Sequence, residues 1–182
     1  MDIIIMYSNI FILSTGRCGS VTFHKACSHF TNYTSGHETR SSKLGIDRFS
    51  YPSFHIESDN RLSWLLGRLD REYGNSAFYV HLTSNTDATA ASFAKRKGSI
   101  MAAYQGMGII MGCTETDQRL IAKDYIDTVN ENIKLFLSDK TNKMNFRLER
   151  AEQDFTRFCL AVRAQGNLQD ALGEFSITHN AS

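Results

Sequence analysis

The chain has 182 residues, of which 42% are hydrophobic and 11% aromatic, and this is enough apolar material for one hydrophobic core. We therefore expect a single domain spanning residues 1–182. The 20 basic and 19 acidic residues leave a formal net charge of +1, so the chain lacks the overall positive field that draws proteins to nucleic acids or membrane surfaces. The sequence predicts no nucleic-acid partner, and any anion site has to be local.

Four cysteines are scattered along the chain, without a CxxC pair and without histidines at metal-ligand spacing: Cys18, Cys27, Cys113 and Cys159. This pattern predicts reduced thiols, a cytoplasmic location, and neither a disulfide framework nor a metal site. The apolar run over residues 3–13 is interrupted at residues 7–9 and is too short to cross a bilayer. It predicts a buried strand and no membrane span.

In the first half of the chain, hydrophobic periodicity predicts two units of a strand followed by a helix. A strand over Ile10–Leu13 leads through a glycine-bearing turn into a helix over Val21–Phe30. Residues Thr31–Tyr51 show no sustained period and predict a long loop. Phe54–Glu57 alternates like a strand, and leucines at helical spacing predict a helix over Arg61–Tyr73.

The second half continues the alternation of strands and helices. In chain order, its predicted elements are a strand over Ala77–Leu82, a helix over Asp87–Lys97, an ambiguous Met- and Gly-rich segment over Gly98–Gly112, an amphipathic helix over Asp117–Leu137, a strand over Asn145–Glu149, and two closing helices separated by Gly166. Strands that alternate with helices are typical of a parallel sheet covered by helices, so the predicted fold class is α/β.

The segment between the first strand and the first helix is called here the glycine loop. It comprises Thr15, Gly16, Arg17, Cys18, Gly19, Ser20, Val21 and Thr22. A glycine turn at the start of a helix presents backbone N–H groups at the positive end of the helix dipole, which suits a phosphate or a sulfate. The hydroxyls add donors, and the arginine adds a permanent positive charge. Taken alone, the same pattern also fits a tight strand-to-helix turn that binds nothing.

Other phosphate chemistries fit the glycine loop less well. The pattern GxxxxGK[ST] of nucleotide-hydrolysing proteins and kinases needs a lysine after its last glycine, but Gly19 is followed by Ser20. A cysteine phosphatase needs an arginine six residues after its nucleophile, but His24 stands at that distance from Cys18. A divergent nucleotide kinase is therefore disfavoured, as is a cysteine phosphatase.

Three segments, in the expected order, resemble sulfotransferases. TGRCGSVTF resembles the 5′-phosphosulfate-binding loop, whose usual core is a basic residue followed by SGT or SGS; here it is Arg17-Cys18-Gly19-Ser20. FYVHLTSNTDATAASFAKR is similar to the strand, turn and helix that bind the 3′-phosphate, with Asn85 and Ser92 at matching positions. The stretch from Phe146 to Phe175 is similar to the closing strand and helices of bacterial sulfotransferase-like proteins.

The resemblance implies a P-loop NTPase-like sulfotransferase fold, which is a three-layer sandwich around a parallel sheet. It implies 3′-phosphoadenosine 5′-phosphosulfate as the sulfuryl donor and adenosine 3′,5′-bisphosphate as the product. The glycine loop, Ser84, Asn85 and Ser92 would bind this nucleotide. The acceptor would be a hydroxyl or an amine of a small molecule or a carbohydrate; the sequence identifies neither the acceptor nor the oligomeric state.

The sequence departs from the family at the 3′-phosphate signature. The family usually has an arginine where this chain has Ser84, and a proline where it has Thr86. Lys95 or Arg96, one turn beyond Ser92, either supplies the missing charge or forms only a solvated helix end. A non-catalytic nucleotide- or anion-binding protein on the same fold is therefore the main alternative to an enzyme.

Sulfuryl transfer needs charge stabilisation on the moving group and a base for the acceptor. The resemblance assigns the first role to Arg17 and requires no metal. Some bacterial relatives use a glutamate beyond the phosphosulfate loop as the base, and Glu38 stands at the comparable place. His37 is the alternative base, because histidine titrates near neutral pH.

Other conspicuous residues have structural interpretations. His55 and Glu57 alternate on a predicted strand and therefore share a face; we expect a buried hydrogen-bonded pair, with an acceptor pocket as the alternative. His81, on an apolar strand, is expected to be a satisfied core residue. The aromatic and methionine side chains near residue 106 belong either to the core or to a mobile lid: Met101, Tyr104, Met107 and Met111.

Overall fold

The structure is a computed structural model that describes residues 6–96, 100–106, 108–177 and 179. Its centre is a sheet whose strands pair in parallel in the order β2-β3-β1-β4-β5. The strands are β1 (Asn9–Leu13), β2 (Thr34–His37), β3 (His55–Ser58), β4 (Phe78–Thr83) and β5 (Lys143–Arg147). The predicted α/β class with a parallel sheet is confirmed.

Helices cover both faces of this sheet. They are α1 (Ser20–Cys27), α2 (Leu66–Tyr73), α3 (Thr86–Ala94), α4 (Ile100–Gln105), α5 (Gln118–Leu137), α6 (Ala151–Val162) and α7 (Leu168–Gly173). Short 3-10 turns are formed by Gly45–Arg48, Asn60–Trp64, Leu148–Arg150 and Glu174–Ser176. Among the described residues, no helix is both long enough and apolar enough to cross a membrane.

The central strand β1 is covered by helices on both of its faces, which gives the fold three layers: helices, sheet and helices. Successive side chains of a strand point to opposite faces, and both faces of β1 are fully buried. Ile10 and Ile12 belong to the core that α1, α6 and α7 cover, whereas Phe11 and Leu13 belong to the core that α2, α3 and α5 cover. A continuous apolar strand is typical of a parallel sheet covered on both sides.

The parallel register brings the carboxyl ends of the strands to one edge of the sheet. Leu13 at the end of β1 pairs with His81 of β4, and Ile12 lies opposite Ser58, the last residue of β3. Ser58 in turn lies opposite His37, the last residue of β2. Ligands of open α/β sheets bind at this edge, where neighbouring connections diverge.

An aromatic cluster fixes α1 against the sheet. Phe23 of α1 makes edge-to-face contacts with Phe146, Phe155 and Phe158, at ring-centroid distances of 5.0, 5.5 and 5.1 Å. Such contacts each contribute about 0.5–1.5 kcal/mol beyond the burial of apolar area. The first turn of α1 is thus held firmly at the carboxyl end of β1.

Two sequence predictions about local structure were wrong. The predicted loop over Thr31–Tyr51 contains the edge strand β2, whose four residues, TSGH, are polar because an edge strand needs backbone pairing more than a buried face. The helix predicted over Arg61–Tyr73 begins as a 3-10 turn, and α2 starts at Leu66. Asp59 causes this early turn, since its carboxylate accepts a hydrogen bond from the Arg61 amide at 2.8 Å.

The segment after α3 belongs partly to the core. Met101 and Tyr104 of α4 are buried, which favours the core alternative over a lid for these two side chains. Met111 is 81% exposed. Met107 lies outside the described residues, as do residues 3–5 of the predicted first strand and Lys97.

Candidate active site

A cleft of about 390 Å³ opens at the carboxyl ends of β1, β2 and β3. Its walls are the glycine loop, the turn after β2, the turn after β3, and the end of α3. The described lining residues are Gly16, Arg17, Gly19, Ser20, Val21, Thr22, His37, Glu38, Asn60, Arg61, Phe93, Arg96, Ile100 and His179.

The backbone of the glycine loop has the concave shape of an anion site. Gly16, Arg17 and Gly19 have φ angles of 83°, 58° and 91°, in the left-handed region that L side chains rarely adopt. Such turns direct successive N–H groups into one concavity. A Cβ atom on Gly19 would lie 2.7 Å from Cδ1 of Leu148; because that methyl ends a flexible side chain, it is the positive φ that favours glycine here.

Contacts behind the glycine loop hold this shape. The Thr15 carbonyl accepts hydrogen bonds from the Tyr125 hydroxyl at 2.8 Å and from Asn60 Nδ2 at 3.4 Å. The Ser14 carbonyl accepts one from the Ser63 hydroxyl at 3.0 Å. Because these carbonyls are satisfied from the protein side, the loop is organised before any ligand arrives.

Arg17 connects the glycine loop to α3. Its Nε donates a hydrogen bond to the Ser92 hydroxyl at 2.9 Å, which joins two of the predicted nucleotide-binding residues. Arg96 lines the same cleft. Burial, and after it the positive charge of Arg96, lowers the pKa of Arg17 below its ordinary value.

The cleft wall opposite Arg17 carries the two predicted bases. Nε2 of His37 lies 3.3 Å from the Ser20 hydroxyl. Glu38 also has a left-handed φ of 55°, and its Oε2 forms an ion pair with Nη1 of Arg61 at 2.5 Å. The structure thus brings Arg17, His37 and Glu38 to one cleft; their catalytic roles stay predictions.

Comparison with solved structures agrees with this architecture. The "Sulfotransferase Domain from the Curacin Biosynthetic Pathway" superposes with a TM-score of 0.67 over 96% of this chain and 79% of that chain, at 14% sequence identity. This chain has a sulfotransferase-like fold. No protein-family model matches the sequence, and no curated protein matches it significantly.

Within this sulfotransferase-like fold, Ser84 and Asn85 stand apart from the described cleft lining. The Ser84 hydroxyl and the Asn85 amide both donate to Oε1 of Glu149, at 2.8 and 2.6 Å. Burial opposes ionisation of Glu149, but the hydrogen bonds that it accepts lower its pKa. The Asn85 side chain caps α3 by accepting from the Ala88 amide at 2.9 Å. Their predicted contact with the nucleotide stays a prediction.

Thr15 and Cys18 belong to the glycine loop but lie behind it. The Cys18 thiol is buried and donates to the Leu82 carbonyl at 3.6 Å, and burial raises its pKa. A thiol in this environment is an inert core group. The Thr15 hydroxyl donates to the Gly16 carbonyl at 2.9 Å, so Thr15 and Cys18 shape the loop from below.

A second histidine stands close behind His37. The rings of His24 and His37 lie 6.2 Å apart, and Nδ1 of His24 is 2.9 Å from the Ser35 hydroxyl. Burial, followed by the charge of His37, lowers the pKa of His24.

Sequence reasoning missed several described lining residues. Asn60 and Arg61 follow β3, and strand ends adjacent to β1 are where the topology places a site; this signal was available once the strand order was known. Phe93, Ile100 and His179 carried no usable signal, because their place in the cleft depends on how α3, α4 and the C-terminal segment pack. Arg96 was considered only as an alternative source of charge.

The charge of the cleft differs from that of the whole chain. Its described lining contains three arginines and one carboxylate, although the formal net charge of the chain is only +1. A partly enclosed, positive cleft concentrates anions. Among the described residues, no group of three or more His, Cys, Asp or Glu side chains is arranged to hold a metal ion.

Proposed function

We propose that this protein is a sulfotransferase that moves a sulfuryl group from 3′-phosphoadenosine 5′-phosphosulfate to a hydroxyl or an amine of a small-molecule or carbohydrate acceptor. The observation that carries the proposal is the arrangement of one cleft: an anion-shaped loop with Arg17 on one wall faces Glu38 and His37 on the other. The sulfotransferase-like fold supports it. Residues 1–182 would act as a single domain.

The donor's phosphosulfate would sit on the glycine loop. The first-turn amides of α1 have no acceptor within the helix, and the helix dipole favours negative charge at this end. Arg17 would stabilise the charge that develops on the sulfuryl oxygens and on the leaving phosphate oxygen. A forked guanidinium suits this task because it donates in a plane to two oxygens at once.

The 3′-phosphate would lie toward the end of α3. Arg96 lines the cleft there, in electrostatic reach of Arg17. Ser92, which accepts from Arg17, lies in the last turns of α3, and Arg96 follows just after the end of that helix. In this proposal Arg96 takes the role of the arginine that the family has at Ser84, and Ser84 serves the structure through Glu149.

The chemical step is an in-line displacement at sulfur. The acceptor oxygen or nitrogen forms a bond to sulfur while the bond from sulfur to the donor's phosphate oxygen breaks, and that oxygen keeps the electron pair. The acceptor proton passes to the base. Glu38 would be this base through Oε1, since Oε2 is bound to Arg61; His37 is the alternative.

Ligand binding and turnover by the wild-type protein test this function. In calorimetric titrations, adenosine 3′,5′-bisphosphate is expected to bind at least about tenfold tighter than 5′-AMP, because a second phosphate adds charge-assisted hydrogen bonds. Acceptor-dependent conversion of the sulfated donor to the bisphosphate should follow in an acceptor screen. Binding without turnover would favour a non-catalytic nucleotide-binding protein, and absence of binding would overturn donor recognition.

Arg96→Gln tests how the 3′-phosphate is held. We expect it to weaken binding of the bisphosphate by about tenfold or more, through loss of one charged contact, while 5′-AMP binding stays unchanged. Lys95→Gln is the matched control, because it removes the same charge from an exposed neighbour that is not among the described lining residues. Equal losses in the two variants would contradict the role of Arg96.

A further inference from the structure

Two buried carboxylates stand on β3 and just beyond its end. Glu57 and Asp59 are both 0% exposed, and they share one face with His55 because side chains alternate along the strand. Burial of a carboxylate is unfavourable unless several donors satisfy it. Each of the two therefore needs an explanation in its contacts.

Glu57 holds the turn that carries the proposed base. Its Oε1 accepts from the Thr39 amide at 2.7 Å, and its Oε2 accepts from the Thr39 hydroxyl at 2.7 Å. Nε2 of His55 lies 2.9 Å from the same Oε2, which confirms the predicted buried pair of His55 and Glu57. Burial alone would raise the pKa of Glu57, but the hydrogen bonds from His55 and Thr39 lower it.

The turn is packed directly against this carboxylate. A Cβ atom on Gly36 would lie 2.5 Å from Cγ2 of Thr39 and 2.7 Å from Oε2 of Glu57. Glu38 stands between these residues in a left-handed conformation, which a non-glycine residue adopts only when its surroundings impose it. The two bonds to Thr39 hold the turn, together with the bond from the Glu38 amide to the Ser58 carbonyl at 3.1 Å.

Asp59 holds the partner of Glu38 in the same way. Its Oδ1 accepts from the Arg61 amide at 2.8 Å, and its Oδ2 forms a buried ion pair with Nη2 of Arg48 at 2.5 Å. Arg61 then reaches across to Glu38. Each half of the ion pair at the cleft is thus held by one buried carboxylate: Glu57 within β3 holds Thr39, next to Glu38, and Asp59 just after β3 holds the Arg61 amide.

We propose that Glu57 is a positioning residue for sulfuryl transfer, because it clamps Thr39 and thereby holds Glu38 against Arg61 in the cleft. This inference rests on the proposed function. Glu57 itself is not among the described lining residues of the cleft. Loss of its charge should therefore disturb the chemical step and leave nucleotide binding intact.

Glu57→Gln, of nearly unchanged size, is the direct test. We expect kcat to fall at least about tenfold, while the donor KM and the bisphosphate Kd stay within about twofold, since only the position of the base changes. Asp154→Asn is the matched control. Asp154 is also a buried carboxylate, and it accepts a hydrogen bond from the Arg147 amide at 2.9 Å. It is not among the described lining residues of the cleft. The kcat of Asp154→Asn should therefore match that of the wild type.

A pair of variants at Thr39 keeps the test decisive if Glu57→Gln fails to fold. Thr39→Val removes the hydrogen bond from the Thr39 hydroxyl to Glu57 and should lower kcat. Thr39→Ser keeps a hydroxyl for that bond and should have the kcat of the wild type. If the wild type turns over and both Glu57→Gln and Thr39→Val retain full kcat, the positioning role is overturned while the proposed function stands. Equal losses of kcat and nucleotide binding, or an equal loss in Asp154→Asn, also overturn it. A wild type that binds no bisphosphate and transfers nothing overturns the proposed function first.

Discussion

Arg17→Ala is expected to weaken binding of adenosine 3′,5′-bisphosphate by about a hundredfold or more. A charged hydrogen bond contributes about 1.5–3 kcal/mol, a tenfold change in affinity corresponds to about 1.4 kcal/mol, and a guanidinium offers two such bonds to one anion. Arg17→Ala also removes the contact with Ser92 that ties the glycine loop to α3. Calorimetric titration measures the loss.

Two further variants separate charge from geometry in this experiment. Arg17→Lys keeps the positive charge but lacks the fork, so its affinity should fall between those of wild type and Arg17→Ala. Arg71→Ala removes an exposed arginine of α2 and should bind like wild type. Since alanine faces the same left-handed backbone as arginine, a change in loop strain does not explain a loss. Wild-type affinity in Arg17→Ala would contradict the placement of the donor.

The elements that sequence patterns predicted well are those governed by local signals. Residues 10–13 of β1 form an unbroken apolar run, and α5 shows its buried face at helical spacing with Asp117 as its N-cap. Both elements can therefore be predicted from residues that are close together in the sequence. The edge strand β2 has neither signal, because its four residues are polar and its stability comes from pairing with β3.

The same distinction applies to the candidate site. The glycine loop was recognisable because its glycines, hydroxyls and arginine are contiguous. The bond from Arg17 to Ser92, the ion pair of Glu38 with Arg61, and the clamp on Thr39 join residues that are distant in sequence. Such pairings depend on strand order, which spacing along one chain does not encode. The link from Ser84 to Glu149 was hidden for the same reason.

Substitutions at Glu38 and His37 can show which of these two residues is the catalytic base. If Glu38 takes the acceptor proton, Glu38→Gln should lower kcat by about 10²–10⁴-fold, the range typical of a lost general base. Bisphosphate affinity should stay at the wild-type value, because glutamine retains the shape of the side chain and an oxygen for Arg61. Steady-state turnover of the sulfated donor, combined with calorimetry on the same samples, measures both quantities.

Three further variants serve as comparisons for Glu38→Gln. His37→Gln removes the alternative base and its contact with Ser20, so the larger loss of kcat identifies the group that accepts the proton. Glu72→Gln neutralises an exposed carboxylate of α2 and should leave turnover unchanged. Since Arg61 holds Oε2 of Glu38, Arg61→Gln should also lower kcat if that ion pair orients Oε1 toward the acceptor. Full activity in Glu38→Gln together with a large loss in His37→Gln would transfer the catalytic role to the histidine.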